Sequence, residues 1–134
     1  MKNSWKILLT VLLLAGVALA GCSSASGTLE TVSPDAAAEV MAENPNAIIL
    51  DIRTPEEFYA GTIEGSINID YYAPDFAAQL DKLDKDADYV MYCNSGNRSG
   101  EAMDIFSDLE FQSVTEIDGG IQAWYSDGLP VVTP

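Results

Sequence analysis

Tyr89-Val90-Met91-Tyr92-Cys93-Asn94-Ser95-Gly96-Asn97-Arg98-Ser99 is the stretch that decides the fold. Its first four residues form a continuous, largely apolar run, which fits a strand covered on both faces of a parallel sheet. A glycine-containing loop follows, and then Ala102, Ile105, Phe106 and Leu109 recur at helical spacing. A buried strand passing through a short loop into an amphipathic helix is half of a βαβ unit. Cys93 stands at the carboxyl end of that strand, where open parallel sheets place their sites.

On the N-terminal side, Ala47-Ile48-Ile49-Leu50-Asp51 reads as a second buried strand, central in the sheet and ending in an acid. Thr54-Pro55-Glu56-Glu57 has the form of a capping box, so a short helix starts directly afterwards, and Gly61 ends it. Ile67-Asn68-Ile69 is a brief strand. Phe76, Ala77, Leu80 and Leu83 mark another helix, with Pro74 near its start and Lys82 and Lys85 toward its end, balancing nearby acids. Upstream, Ser33 caps a helix that begins at Pro34 and buries Ala36, Ala37, Val40 and Met41. Downstream, Val114 to Ile117 adds a strand, and Gly119-Gly120 leads into a last short helix carrying Ile121 and Trp124, ended by Gly128 and Pro130. Alternating strands and helices without repeats predict the α/β class: a small parallel β-sheet with helices on both faces, joined by right-handed crossovers, in one domain over residues 30–134.

The chain has no histidine, which removes the commonest general base and metal ligand and argues against Ser-His-Asp, Cys-His and zinc sites. A nucleophile here must be activated by other means. Successive amides of Asn94, Ser95, Gly96, Asn97 and Arg98 can curl around the Cys93 sulfur as an anion nest, and the positive end of the following helix points at the same spot. Arg98 adds a cation, so Cys93 is expected to have a depressed pKa and to act as a catalytic thiolate. The bland alternative is a packed core cysteine at a strand end. Arg98 is equally readable as a holder of an anionic donor and as a surface ion pair.

The N-terminus has a separate meaning. Lys2 and Lys6, the apolar run from Ile7 to Leu19, and Leu19-Ala20-Gly21-Cys22 have the three-part layout of a secretory signal, and the run is shorter than a spanning helix needs. Leu-Ala-Gly-Cys resembles the lipobox of bacterial lipoproteins. The resemblance implies a signal peptide over residues 1–21, acylation of Cys22, and a flexible tether over residues 22–29. It also implies a domain held on the membrane by its N-terminal lipid, on the periplasmic or extracellular side of the cell envelope. With Cys22 acylated, Cys93 is the one free thiol of the two cysteines. Removing Lys2 and Lys6 takes the formal charge from −15 to −17, since no acid precedes Cys22. That balance argues against a nucleic-acid partner.

Four segments in order resemble rhodanese-domain proteins. Cys93 to Ser99 looks like the family's active-site loop. Asp51-Ile52-Arg53 with Pro55-Glu56-Glu57-Phe58 is similar to its Asp-x-Arg segment and the helix after it. Gly61-Thr62-Ile63-Glu64-Gly65-Ser66-Ile67-Asn68 is similar to its Gly-His-Ile-x-Gly-Ala-x-Asn segment, with Thr62 for the usual histidine and Ser66 for the usual alanine. Asp118-Gly119-Gly120 with Trp124 is similar to its closing segment. The resemblance implies a sulfurtransferase in which the Cys93 thiolate takes sulfane sulfur from a small-molecule donor such as thiosulfate. The sulfur is held as a persulfide in the cradle of Asn94 to Arg98 and passed to a thiol or cyanide acceptor, with no cofactor or metal. Asp51 and Arg53 would organise the loops, and Phe58 and Trp124 would pack. Asn94 stands where many thiosulfate-using members carry a basic residue, which puts thiosulfate itself in doubt as the donor.

Two readings compete. A phosphatase or arsenate reductase also uses a loop cysteine and arginine, but Cys93 and Arg98 enclose four residues where the phosphatase signature encloses five, a ring suited to one sulfur atom. A non-catalytic binding module would be marked by a missing or blocked cysteine, and Cys93 is present.

Overall fold

The computed structural model describes residues 28–134. The signal segment, Cys22 and the first part of the tether lie outside the described residues. In chain order the elements are β1 (Thr28–Val32), α1 (Pro34–Glu43), β2 (Ile48–Asp51), α2 (Pro55–Ala60), β3 (Ile67–Asn68), α3 (Phe76–Asp81), β4 (Asp88–Tyr92), α4 (Asn97–Asp108), β5 (Ser113–Ile117) and α5 (Gly120–Ser126). The strands form one five-stranded sheet in the order β1-β5-β4-β2-β3. Every pairing in it is parallel. The expected α/β class is what the chain adopts. β4 occupies the middle of the sheet, with β2 beside it.

The sheet separates two hydrophobic cores, and β4 feeds both by strand alternation. Tyr89, Met91 and then Cys93 join a core shared with Phe76 and Leu80 of α3 and Ala102 and Phe106 of α4. Val90 and Tyr92 join the opposite core with Ala37 of α1 and Ile121 and Trp124 of α5. Trp124 is packed in that core, its indole N–H satisfied by the Pro130 carbonyl at 2.9 Å.

The predicted caps form. The Ser33 side chain accepts from the amide of Ala36 at the start of α1. At α2 the box is reciprocal: Thr54 Oγ1 accepts from the Glu57 amide, and a Glu57 carboxylate oxygen accepts from the Thr54 amide. Lys85 does more than balance acids. Its ammonium donates to the carbonyls of Leu80, Asp81 and Leu83 and closes the C-terminus of α3.

The tether prediction fails at its far end. Thr28 and Leu29, read as the last tether residues, belong to β1 and register with Ser113 and Val114 of β5. Thr28-Leu29-Glu30-Thr31-Val32 is an edge strand with mostly exposed side chains, so it lacks the continuous apolar run that betrays the inner strands.

Candidate active site

Cys93 directly follows β4, and its residue is 1% exposed. Gly96 sits in the left-handed region at φ +94° as the N-cap of α4. This turns the loop back so that the Gly96 amide donates to Cys93 Sγ at 3.1 Å. Ser99, in the first turn of α4, places its Oγ 3.3 Å from the same sulfur. Burial alone pushes the Cys93 thiol up, but the Ser99 hydroxyl and the amides of Ser99, Gly96 and Ser95 outweigh it, and the net shift is downward. The direction is that of the depressed thiol expected from the sequence.

The source of that shift differs in one part from the expectation. Arg98 does not stand free beside the sulfur: its two guanidinium nitrogens bind both carboxylate oxygens of Glu57 at 2.8 Å. The Glu57 partner dominates the upward shift of the arginine, and the attraction of Cys93 is a smaller contribution. Its guanidinium also lies over the exposed Tyr72 ring, 5.4 Å from the centroid. Arg98 therefore joins the loop to α2 and contributes little to the thiolate.

The other predicted residues divide by position. Ser95 supplies an amide to the sulfur. Asn94 supplies a carbonyl that accepts from the Gln122 amide at 3.1 Å, as the Cys93 carbonyl accepts from the Ile121 amide at 2.9 Å. Asn97 is exposed in the first turn of α4 and stays out of the contacts around the sulfur. The first turn of α5 thus fastens the loop by its backbone. Gly120, at φ +61°, makes the approach feasible, because a Cβ there would overlap the Cys93 carbonyl oxygen and fall 2.7 Å from the Asn94 carbonyl carbon.

Asp51 and Arg53 do not reach the sulfur. Arg53 donates through Nε and Nη2 to the buried Asp51 carboxylate and through Nη2 to the Gly61 carbonyl at 2.5 Å. Burial pushes the Arg53 guanidinium down, but Asp51 outweighs it and the net shift is upward. The amide of Asn68 donates to the carbonyls of both residues. Thr62 and Ser66, at the positions departing from the family pattern, surround the Tyr92 hydroxyl with the Ile63 amide, at 2.6, 2.9 and 3.0 Å respectively. This polar cluster lies on the Tyr92 side of the sheet, opposite the Cys93 side chain.

Sequence reasoning gave no role to Ser99 or Glu116, and saw Glu57 only as a cap. Glu116 lies in β5, 4% exposed, with Thr31 Oγ1 donating to one oxygen at 2.7 Å and Ser99 Oγ 2.6 Å from the other. A readable signal existed: an acid inside a strand buried on both faces needs a partner.

A family model described as a rhodanese-like domain matches residues 33–127, and the chain belongs to that family. A sulfurtransferase of Allochromatium vinosum is 30% identical over 103 residues, covering 77% of this chain and 94% of the relative. Thiosulfate sulfurtransferase GlpE of Pseudomonas aeruginosa is 37% identical over 102 residues, covering 75% and 88%. Among solved structures, a rhodanese-related protein of Thermoplasma volcanium superposes with a TM-score of 0.68 at 31% identity, over 79% of this chain and all of that one.

Proposed function

We propose that the chain is a sulfurtransferase working through a persulfide on Cys93. The Cys93 thiolate attacks the sulfane sulfur of a donor such as thiosulfate, the donor's S–S bond breaks, and sulfite leaves with the bonding pair. The transferred sulfur stays on Cys93 as a persulfide until a thiol or cyanide attacks it and Cys93 departs as thiolate. The observation that carries this reading is the pair of donors on one sulfur, the Gly96 amide at 3.1 Å and Ser99 Oγ at 3.3 Å. Oriented donors of this kind stabilise an anionic sulfur without a nearby histidine. The capture of Arg98 by Glu57 favours sulfur transfer over phosphate chemistry, which needs that guanidinium on the substrate.

The test is thiocyanate formation from thiosulfate and cyanide, beside a Cys93→Ala control. Cysteine-dependent turnover is expected. If thiosulfate and other sulfane donors all leave the mass of the Cys93 protein unchanged, the reading fails and a binding module replaces it.

We also infer that the domain works in the cell envelope, anchored by acyl chains on Cys22 on the periplasmic or extracellular side. The support is the Leu19-Ala20-Gly21-Cys22 segment behind its apolar run. A Cys22→Ala chain should lose incorporation of labelled fatty acid, and unchanged labelling would refute the anchor.

A further inference from the structure

Beyond Lys2 and Lys6 the sequence holds four cations, Arg53, Lys82, Lys85 and Arg98. Arg53 is buried against Asp51, in the polar cluster on the Tyr92 side of the sheet. Lys82 is the C-cap of α3. The Lys85 carbonyl accepts from the amide of Gln112, the residue before β5, so both lysines lie toward the end of the sheet where β4 and β5 begin. Arg98 is therefore the one cation on the Cys93 side at the carboxyl ends of the strands. It stands between Gly96 and Ser99, which both meet the sulfur.

That one charge is cancelled. Glu57 takes both guanidinium nitrogens at 2.8 Å, and an approaching ion meets a dipole in place of a cation. The acids nearby have no such compensation. Glu101, on the same helix surface three residues after Arg98, accepts from the Tyr71 hydroxyl at 2.8 Å. Asp70 accepts from the amide of Tyr72, whose ring lies over the Arg98 guanidinium, and Asp118 stands exposed directly after β5. Among the described residues none of these three acids is in an ion pair. Asn94, next to Cys93, adds no charge. Thiosulfate would bring two negative charges to this setting, and its attacker is a third anion, the thiolate.

We propose that Glu57 is a positioning residue that sets the donor charge the site accepts: by holding Arg98 it turns Cys93 from doubly charged oxyanion donors toward sulfane donors with at most one negative charge. The donor preference rests on the sulfur-transfer reading, while the charge effect at Cys93 can be measured without it. Bonds and electrons move as they do with thiosulfate. The thiolate attacks the sulfane sulfur, the donor's S–S bond breaks, and the leaving group departs with the bonding pair; only the charge on that leaving group differs. Thiosulfate still reacts, against a charge barrier that Glu57 maintains.

The test compares two pairs of reagents on the full chain, at one pH and low ionic strength, where surface charge is least screened. Iodoacetate is set against uncharged iodoacetamide for alkylation, read on the Cys93 peptide. Thiosulfate is set against singly charged methanethiosulfonate for sulfur loading, read by mass. Within each pair the thiolate fraction cancels, so the ratio of rates reports charge, and a variant that is merely less well folded leaves it unmoved. Glu57→Gln keeps the cap and releases the Arg98 charge, so the iodoacetate-to-iodoacetamide ratio should rise about three- to tenfold, and the thiosulfate-to-methanethiosulfonate ratio should rise with it. Arg98→Gln leaves Glu57 uncompensated and should lower both ratios; it carries the test if Glu57→Gln does not fold. An alkylation ratio that stays fixed in a folded variant, or moves the opposite way, overturns the proposal whatever the donors do. If alkylation responds and both donors load sulfur at a ratio indifferent to Glu57, the donor preference is overturned and the transfer reading stands. If alkylation responds and neither donor loads sulfur, the transfer reading fails and the donor preference falls with it.

Discussion

Glu57 holds Arg98 with both carboxylate oxygens at 2.8 Å while one of those oxygens also accepts from the Thr54 amide at 3.0 Å. A single side chain thereby starts α2 and ties it to the loop that carries Cys93. Arg98 is the leading cause that brings the Glu57 carboxyl down from 4.5 to about 2.

Glu57→Gln keeps the cap and removes the charge, so it should cost about 1–2 kcal/mol in urea unfolding near neutral pH. Because the folded carboxyl titrates below the unfolded one, this contribution is complete above about pH 4.5 and is lost as pH falls toward about 2. The wild-type and Glu57→Gln curves should converge over that interval. A gap that persisted to the acid end would mean that something other than the ion pair had been removed.

Gly120→Ala places a methyl group against the carbonyls of Cys93 and Asn94 in a left-handed backbone. The combined strain and overlap should cost about 2–4 kcal/mol and loosen the sulfur cradle. Urea midpoints and the rate of sulfur loading should both fall. Wild-type loading in a stable Gly120→Ala chain would show that the fastening by α5 does not position the loop.

Tyr92→Phe removes the hydroxyl that receives the buried Ile63 amide and touches Thr62 and Ser66. Leaving that amide unpaired should cost about 1–3 kcal/mol. Burial leads the causes that push the Tyr92 phenol up to about 12, so it stays a neutral hydroxyl at ordinary pH. Its side chain faces away from that of Cys93, and the alkylation profile of Cys93 should be unchanged. A shifted profile would place this cluster within the chemistry of the thiol.

The inner strands could be read from the sequence because β2 and β4 are buried on both faces and leave unbroken apolar runs. The caps at Ser33 and Thr54 could be read because side chains three residues apart settle them locally. β1 escaped because Thr31 and Leu29 are ordinary residues whose pairing depends on β5, more than eighty residues later in the chain. The sulfur donors at Gly96 and Ser99 lie within one loop and its helix, so the loop sequence contained them. Glu116 comes from another strand, and Glu57 acquires its second partner only when α2 meets α4. Proximity of that kind is made by the fold and is not written at any one position.

The parallel pairing of all five strands divides the sheet into an end where the chain enters and an end where the thiol sits. Thr28 begins β1 at the first and Cys93 follows β4 at the second. With Cys22 held in a bilayer as proposed, the direction of β1 would carry the chain away from its anchor. On that proposal the Cys93 end of the sheet would be the end turned away from the lipid, and a donor in water or a protein thiol would approach it from that side.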